Sequence, residues 1–299
     1  MSMHTTVCTE RARYPLLLPV MLVLLAGFAI PMLIVAVVSV SKPLDYGGVA
    51  WGTFSPLSYV RVLFDQDFDG TWNWTSAYAT LFCRTVLFAL LTTILCAIAG
   101  FPVALFIAMQ PKARRPLLLM LVSIPFWTNM IVRCYSWIIL LRDDGVIGNF
   151  MSRLHLGSTA PGILYSNTAT FIGLTYAFLP FMVLPIYTSL EKMNWELAEA
   201  AYDLGANRIK MLRRVVIPIS RPGIVSGCML VFVPALGAYL VPDLLGGGKS
   251  MMLGNLIQMQ FGVARNWSFG AALSLLLFVP ILASVIVLLF KENRKQESK

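Results

Sequence analysis

Side chains able to do covalent or metal chemistry are few and scattered in this chain. The 299 residues include two histidines, His4 and His155, and five cysteines. No Cys-x-x-Cys or His-Glu-x-x-His spacing brings them together, and no apolar segment holds clustered carboxylates, so a metal centre is not expected. Residues 246–249 resemble a phosphate loop only in their glycines, because the preceding spacing is wrong. We therefore expect no catalytic residue and no cofactor.

Three charged residues lie within otherwise apolar segments, namely Arg84, Arg133 and Asp243. An arginine at the centre of a membrane helix costs roughly 2.5–3.5 kcal/mol on insertion scales. Arg133 is therefore expected to face a cavity or to pair with a carboxylate such as Asp243, or to act in gating. Arg84 lies near the end of its segment and is expected to extend to the membrane interface.

The composition indicates which elements must position these residues. Hydrophobic residues make up 58% of the chain and charged residues 12%, against about 25% charged in soluble domains, which excludes a soluble enzyme. The apolar residues form segments of the roughly 20 residues that a bilayer requires, not the short alternating strands of a barrel. Six spans are predicted, at 16–40, 78–109, 117–141, 169–190, 223–245 and 269–290. The sequence thus predicts an all-α polytopic membrane protein with six transmembrane helices.

The distribution of basic residues predicts the orientation. Of the 23 Lys and Arg, 15 lie in one set of alternate loops and 6 in the other. Because positively charged loops stay in the cytoplasm, both termini are predicted to be cytoplasmic, with tails 1–15 and 291–299 flanking a transmembrane domain at 16–290. The net charge of +9 is then a topological signal that does not require nucleic acid as a partner. The first span exceeds the roughly 7–15-residue core of a signal peptide, so we expect it to be a true helix.

The external loop at 41–77 contains Pro, Gly and Asp residues and is long enough to form a small cap. Tryptophans in the outer loops and in the third span fit an aromatic belt at the membrane interface or a vestibule that faces outwards.

The cytoplasmic loop at 191–222 has the most informative pattern. Apolar residues recur at helical spacing on both sides of Gly205, which predicts two short helices joined by a left-handed turn. Pro218 and Pro222 are expected to end the second helix before the chain re-enters the membrane. The small residues Ala200 and Ala201 suit close docking into a groove of a partner. An amphipathic loop lying on anionic lipid is the alternative that physics alone leaves open.

The spacing within this loop carries a family resemblance. Glu199-Ala200-Ala201, three residues, Gly205, nine residues, then Val215-Val216-Ile217-Pro218 resembles the Glu-Ala-Ala loop of ABC importer permeases. Val215 and Ile217 are mild departures, since the family often has Ile and Leu there. The resemblance implies a type I ABC importer permease fold, with ATP hydrolysis on a separate subunit. It also implies a coupling role for five residues that would contact that ATPase: Glu199, Ala200, Ala201, Gly205 and Pro218.

Further stretches resemble the permeases of spermidine/putrescine importers, over roughly residues 80–290. They are Ile124 to Asn129, Leu141 to Ile147, Leu179 to Tyr187, Asp243 to Gly247, and Asn266-Trp267 before Phe269. The resemblance implies two ATPase subunits, an external or periplasmic solute-binding protein, a second permease that is usually a paralogue, and a bacterial inner-membrane location.

Recognition of a flexible polycation needs carboxylates for its ammonium groups and aromatic faces for cation–π contact. Asp243 and Tyr239 in the fifth span could provide both. Three aromatic residues and one arginine of the third span complete the candidate pathway or gate: Trp127, Tyr135, Trp137 and Arg133. The bend expected at Pro242, beside Asp243, is the candidate gate.

Other function classes remain as alternatives. The cargo could be another cationic or amine-bearing solute. A secondary transporter working alone would need an inverted repeat with intramembrane ion ligands, and an intramembrane enzyme would need paired catalytic groups in the spans. Neither pattern is present in the sequence.

Overall fold

The computed structural model describes residues 14–44, 46–66, 72–153 and 163–297. Two compact units divide the chain, one made of residues 1–75 with 257–299 and the other of residues 76–256. His4, Cys8, His155 and the predicted N-terminal tail up to residue 13 lie outside the described residues. Helices dominate both units.

The first unit contains the first and last long helices and the external loop. Its helices are α1 (Tyr14–Ser39), α2 (Leu57–Leu63) and α13 (Trp267–Glu297), and its strands are β1 (Ser41–Pro43), β2 (Val49–Phe54), β3 (Phe64–Gln66) and β4 (Trp72–Trp74). The strands form two antiparallel hairpins, β1–β2 and β3–β4. The external loop therefore adds two small sheets to a fold that is otherwise helical. The last helix continues through Glu297, so most of the predicted C-terminal tail is helical.

The second unit carries the remaining helices. They are α3 (Ala77–Met109), α4 (Arg115–Trp127), α5 (Met130–Leu141), α6 (Val146–Arg153), α7 (Asn167–Glu191), α8 (Glu196–Asp203), α9 (Arg208–Met211), α10 (Ile217–Leu236) and α11 (Leu240–Gly246). A π-helical turn at Leu212–Val216 joins α9 to α10. The helix α12 (Leu253–Phe261) spans the boundary between the two units.

Small residues bring the three long helices α3, α7 and α10 together. Met182 of α7 is fully buried between Gly100 of α3 and Gly227 of α10, where an added Cβ would lie 3.0 and 2.8 Å from the Met182 side chain. Between membrane helices, such small residues let the backbones approach and so increase van der Waals contact. This packing forms the larger apolar core of the unit.

Four helices in the described residues are long and apolar enough to cross a membrane: Pro19–Ser39, Ala77–Met109, Asn167–Glu191 and Arg208–Leu236. A bent pair, Arg115–Trp127 with Met130–Asn149, and the apolar part of α13, Trp267–Leu282, correspond to the other two predicted spans. The six-span prediction is compatible with this arrangement.

The third predicted span is bent, not straight. Its two helices meet at 92°. Thr128 ends α4 in an extended conformation, and the side chain of Asn129 caps α5 by accepting the amide of Ile131 at 2.8 Å. An Asn cap stabilises a new helix start, so Trp127 lies on a different helix from Tyr135 and Trp137.

Two expectations about proline were wrong. Pro218 and Pro222 do not end the helix, because residues 208–236 form one continuous helix. The amide of Ile217 bonds to the carbonyl of Leu212, five residues back, and this wider π turn accommodates Pro218, which has no N–H of its own. The expected bend at Pro242 is also displaced, since the helix breaks at 237–239 and Pro242 lies buried in the first turn of α11.

Candidate functional site

The loop at 191–222 folds into a helical hairpin, as its sequence pattern predicts. The side chain of Asn194 accepts the amide of Glu196 at 3.1 Å and so helps start α8. The side chain of Asn207 accepts the amide of Lys210 at 2.8 Å and caps α9. These caps satisfy amides that the first turn of a helix leaves unpaired.

Gly205 makes the turn between α8 and α9. Its φ of 77° lies in the left-handed region. Its amide donates to the carbonyl of Tyr202 at 2.8 Å, and the amide of Ala206 donates to that of Ala201 at 3.0 Å. This pair of bonds is a Schellman motif, which glycine favours because it has no Cβ.

One face of the hairpin is anchored and the other is open. Ala198 is buried in the core that α3, α7 and α10 share. On the open side Leu204 is 89% exposed and Ile209 66% exposed, although both are apolar. Glu199, Ala200 and Gly205 are also exposed, whereas Ala201 and Pro218 are half-buried. The hairpin thus presents apolar side chains and small residues next to a free carboxylate, a surface suited to docking against another protein.

The candidate pathway residues are distributed over three helices, α4, α5 and α11, and Tyr239 lies directly before α11. Asp243 and Tyr239 are exposed at the start of α11, while Val241 and Leu245 on its other side are buried. On α7, Gly173 allows this close approach, because an added Cβ would overlap the side chains of Val241 and Leu245. As a result, α11 is fixed on its buried side and presents a carboxylate and a phenol on its exposed side.

The aromatic residues of the third span do not form one cluster. Trp127 at the end of α4 is 86% exposed and Tyr135 on α5 is also exposed. Trp137 packs edge-on against Tyr176 of α7, with ring centroids 5.5 Å apart. Trp137 is half-buried against the smaller apolar cluster, which gives it a packing role.

Arg133 and Asp243 do not form the expected ion pair. Within the described residues neither side chain has a salt-bridge partner, and the Nε of Arg133 is buried without a hydrogen bond. The side chain of Asp243 is exposed on α11. A buried, unpaired guanidinium nitrogen leaves hydrogen-bonding capacity unused, which is costly in an apolar interior.

Sequence reasoning missed a polar cluster that joins α3, α7 and residues 249–250. Arg84 donates to the carbonyl of Lys249 and to Asn167 Oδ1 at 3.3 Å, while its position at the membrane interface stays a prediction. Its guanidinium also lies 5.4 Å from the centre of the Phe88 ring. Ser250 donates to the same Asn167 oxygen at 2.7 Å. The arginine within an apolar segment could have predicted this cluster, because a charged residue in such a segment usually has a polar partner.

Metal binding finds no support in the described part of the chain. There, no three His, Cys, Asp or Glu side chains lie together in a way that could hold an ion.

Comparison with known proteins places this geometry in a family. Residues 100–294 match the model of the binding-protein-dependent transport system inner membrane component. The spermidine/putrescine transport system permease protein PotB of Escherichia coli (strain K12) is 38% identical over 256 residues, 84% of this chain and 91% of that protein. PotB of Haemophilus influenzae is 39% identical over 226 residues, 74% of this chain and 79% of that protein.

The fold is also found in a solved structure. A bacterial ABC transporter involved in the import of the acidic polysaccharide alginate aligns over 98% of both chains with a TM-score of 0.66 and 17% identity. At this identity the likeness concerns the fold alone, which is that of an ABC importer permease. With the family match and the membrane-spanning helices, it makes the chain a multi-pass membrane protein, a transport subunit and not an enzyme. The chain belongs to the family of binding-protein-dependent transport system inner membrane components.

Proposed function

We propose that this chain is the permease subunit through which an ATP-driven importer admits polyamines such as spermidine and putrescine. The observation that carries the proposal is the 38% identity to a spermidine/putrescine permease over 84% of the chain. The exposed carboxylate of Asp243 beside Tyr239 supports it, because an ammonium group binds to carboxylates and to aromatic faces.

In this proposal the hairpin at 191–222 is the coupling surface for an ATPase subunit. Leu204 and Ile209 provide exposed apolar contacts, and Ala200 and Gly205 let a partner backbone come close. Glu199 is exposed and is available to a basic group of the partner. Binding of the hairpin in a cleft would exclude water from these side chains, which is favourable by about 25 cal/mol for each Å² of apolar surface.

The assembly that we propose contains two ATPase subunits, a second and different permease subunit, and an external solute-binding protein. A paralogous second permease is the expectation for a polyamine importer, and both termini of this chain face the cytoplasm. ATP-driven closure of the ATPases would then bias the helices between inward-open and outward-open states.

Reconstitution tests the cargo. The chain, its candidate second permease, the ATPase and the binding protein are placed in vesicles and offered labelled putrescine, spermidine and a panel of other amines. We expect ATP-dependent uptake of a polyamine. Uptake without ATP would support a transporter that works alone. Uptake restricted to another amine would show that the cargo is not a polyamine, although the chain would still be a permease.

A further inference from the structure

A short segment after α11 is bonded to several helices at once. Residues 249–255 are named here the outer strap. At its first end, Arg84 of α3 donates to the carbonyl of Lys249. Ser250 donates to Asn167 of α7 at 2.7 Å, and Arg84 reaches the same Asn167 oxygen at 3.3 Å. Asn167 thus joins the outer ends of α3 and α7 to the strap.

The other end of the strap is also held by hydrogen bonds. The amide of Leu253 donates to Thr85 Oγ1 of α3 at 2.8 Å. Asn255 accepts the amide of Met252 at 3.1 Å and donates to the carbonyl of Tyr239 at 2.9 Å. That carbonyl belongs to the break that precedes α11, so the strap holds both sides of this short helix.

The helix α11 lies between two interruptions of regular structure. Residues 237–239 separate it from α10, and the left-handed Gly247 and Gly248 separate it from the strap. A seven-residue helix between two such breaks can change its orientation as a unit, unless neighbouring contacts fix it. Val241 and Leu245 pack against Gly173 of α7, and the strap adds hydrogen bonds from α3 and α7.

We propose that Arg84 and Asn167 are positioning residues for transport, which act through the outer strap to set the orientation of α11. Neither residue contacts the cargo. Their effect is to place Asp243 and Tyr239, which lie on the exposed side of α11. The role of Asp243 in binding the amine rests on the proposed function, whereas the control of α11 by the strap does not.

The bonds of the guanidinium explain why an arginine is used at this position. Arg84 reaches a backbone carbonyl and a side-chain amide at the same time. Both bonds are donated by one nitrogen, Nη2, while the guanidinium also lies over the Phe88 ring. A lysine ammonium is compact and more strongly hydrated, and it cannot stack on a ring as a planar guanidinium does. Arg84→Lys should therefore keep the charge but loosen the strap.

A double-mutant cycle tests the positioning role. In the reconstituted importer, Asn167→Ala is expected to raise the KM for the amine-loaded binding protein several-fold and to change kcat less. Adding Asn167→Ala to Asp243→Asn should cause little further change, because both substitutions remove the same interaction. Fully additive effects would overturn the proposal.

A matched pair of serines separates the strap from general packing. Ser250→Ala removes a bond to Asn167 and should raise the KM in the same direction. Ser220→Ala removes a hydroxyl that is equally buried but bonds to Ile217 of its own helix, at 3.1 Å, and should leave the KM unchanged. An equal effect of both variants would show a merely structural role and would contradict the proposal.

A labelling experiment tests the strap without any assumption about cargo. Tyr239→Cys is introduced into a chain whose five cysteines are replaced, and its rate of maleimide labelling is measured in the detergent-solubilised importer. Asn167→Ala and Arg84→Lys should change this rate, while a cysteine at the distant, exposed Leu204 should label at an unchanged rate. If Asp243→Asn has no effect on transport, the proposed cargo site is wrong. The labelling rates then still test whether the strap controls the orientation of α11. An unchanged Tyr239→Cys rate in both strap variants would refute it.

Discussion

Gly223 of α10 packs directly against the backbone carbonyl of Pro185 in α7. A Cβ at Gly223 would overlap that oxygen and the side chain of Ser189. The contact lies in the part of α10 that follows the hairpin at 191–222. The backbones of the two helices are therefore as close as a glycine allows.

We predict that Gly223→Ala destabilises the protein by about 1–3 kcal/mol, the usual cost of overpacking. The clash is with backbone, which cannot move aside as a flexible side chain can. Gly27→Ala is the matched control, because nothing lies within 4 Å of a Cβ there. Thermal unfolding in detergent measures both, and equal melting temperatures would contradict the close packing of α7 and α10.

The left-handed turn at Gly205, in the hairpin at 191–222, gives a second prediction. Gly205→Ala should destabilise the hairpin by about 1–2 kcal/mol, the cost of a left-handed conformation for a residue with a Cβ. Gly205→Asn should cost less, since asparagine tolerates this conformation better. A protease accessibility assay of the loop at 191–222 measures the difference. Equal cleavage of the wild type and the alanine variant would show that the turn is not needed.

Coupling to the ATPase is tested by changing the open side of the hairpin. Glu199→Arg combined with Leu204→Asp should reduce the stimulation of ATPase activity by the binding protein about tenfold or more, equivalent to a loss of about 1.4 kcal/mol. Both side chains are exposed, so insertion and folding should be unaffected. Lys112→Asp, an exposed change in another loop assigned to the cytoplasm, is the control. Unchanged stimulation in the double variant would show that the hairpin is not the coupling surface.

The role of Asp243 gives a prediction about cargo. Asp243→Asn should raise the KM of transport roughly 10- to 100-fold, because a hydrogen bond to a charged group contributes about 1.5–3 kcal/mol. Asp143→Asn makes the same charge change at an exposed residue of the predicted outer side but leaves α11 intact, and its effect should be small. Similar effects of the two variants would indicate general attraction of cations at the entrance, not a contact at Asp243.

Orientation can be measured with a reagent that does not cross membranes. Leu204→Cys and Trp51→Cys are both exposed sites, and the predicted topology places them on opposite sides. In intact spheroplasts Trp51→Cys should react and Leu204→Cys should not, and inverted vesicles should reverse the result. Labelling of Leu204→Cys from outside would show that the predicted orientation in the membrane is wrong.

Local signals account for what the sequence could predict. The hairpin around Gly205 was predictable, since its glycine and helical periodicity lie within a few residues of each other. The break at Thr128 and Asn129 has a local signal too, an Asn cap within an apolar run, but the length of the run favoured a straight span. Pro218 was misjudged, because sequence alone does not reveal that a π turn can accommodate a proline within a continuous helix.

The polar cluster at the outer end depends on contacts that no local pattern contains. Asn167 and Ser250 are far apart in the chain, and only the packing of α3 and α7 brings Arg84 to both. Tertiary packing also explains why Arg133 and Asp243 do not form an ion pair. The sequence shows which charges lie in apolar segments, while the tertiary fold decides which of them meet.

The continuous helix at Arg208–Leu236 has a mechanical consequence. Its 29 residues correspond to a rod of about 44 Å at 1.5 Å per residue. A rigid rod of this length that tilts by about 10° moves its far end by roughly 8 Å, so a small rotation at α9 would become a large displacement beside the break at 237–239. The π turn at Leu212–Val216 is the point along this rod where torque applied at α9 could be lost as bending.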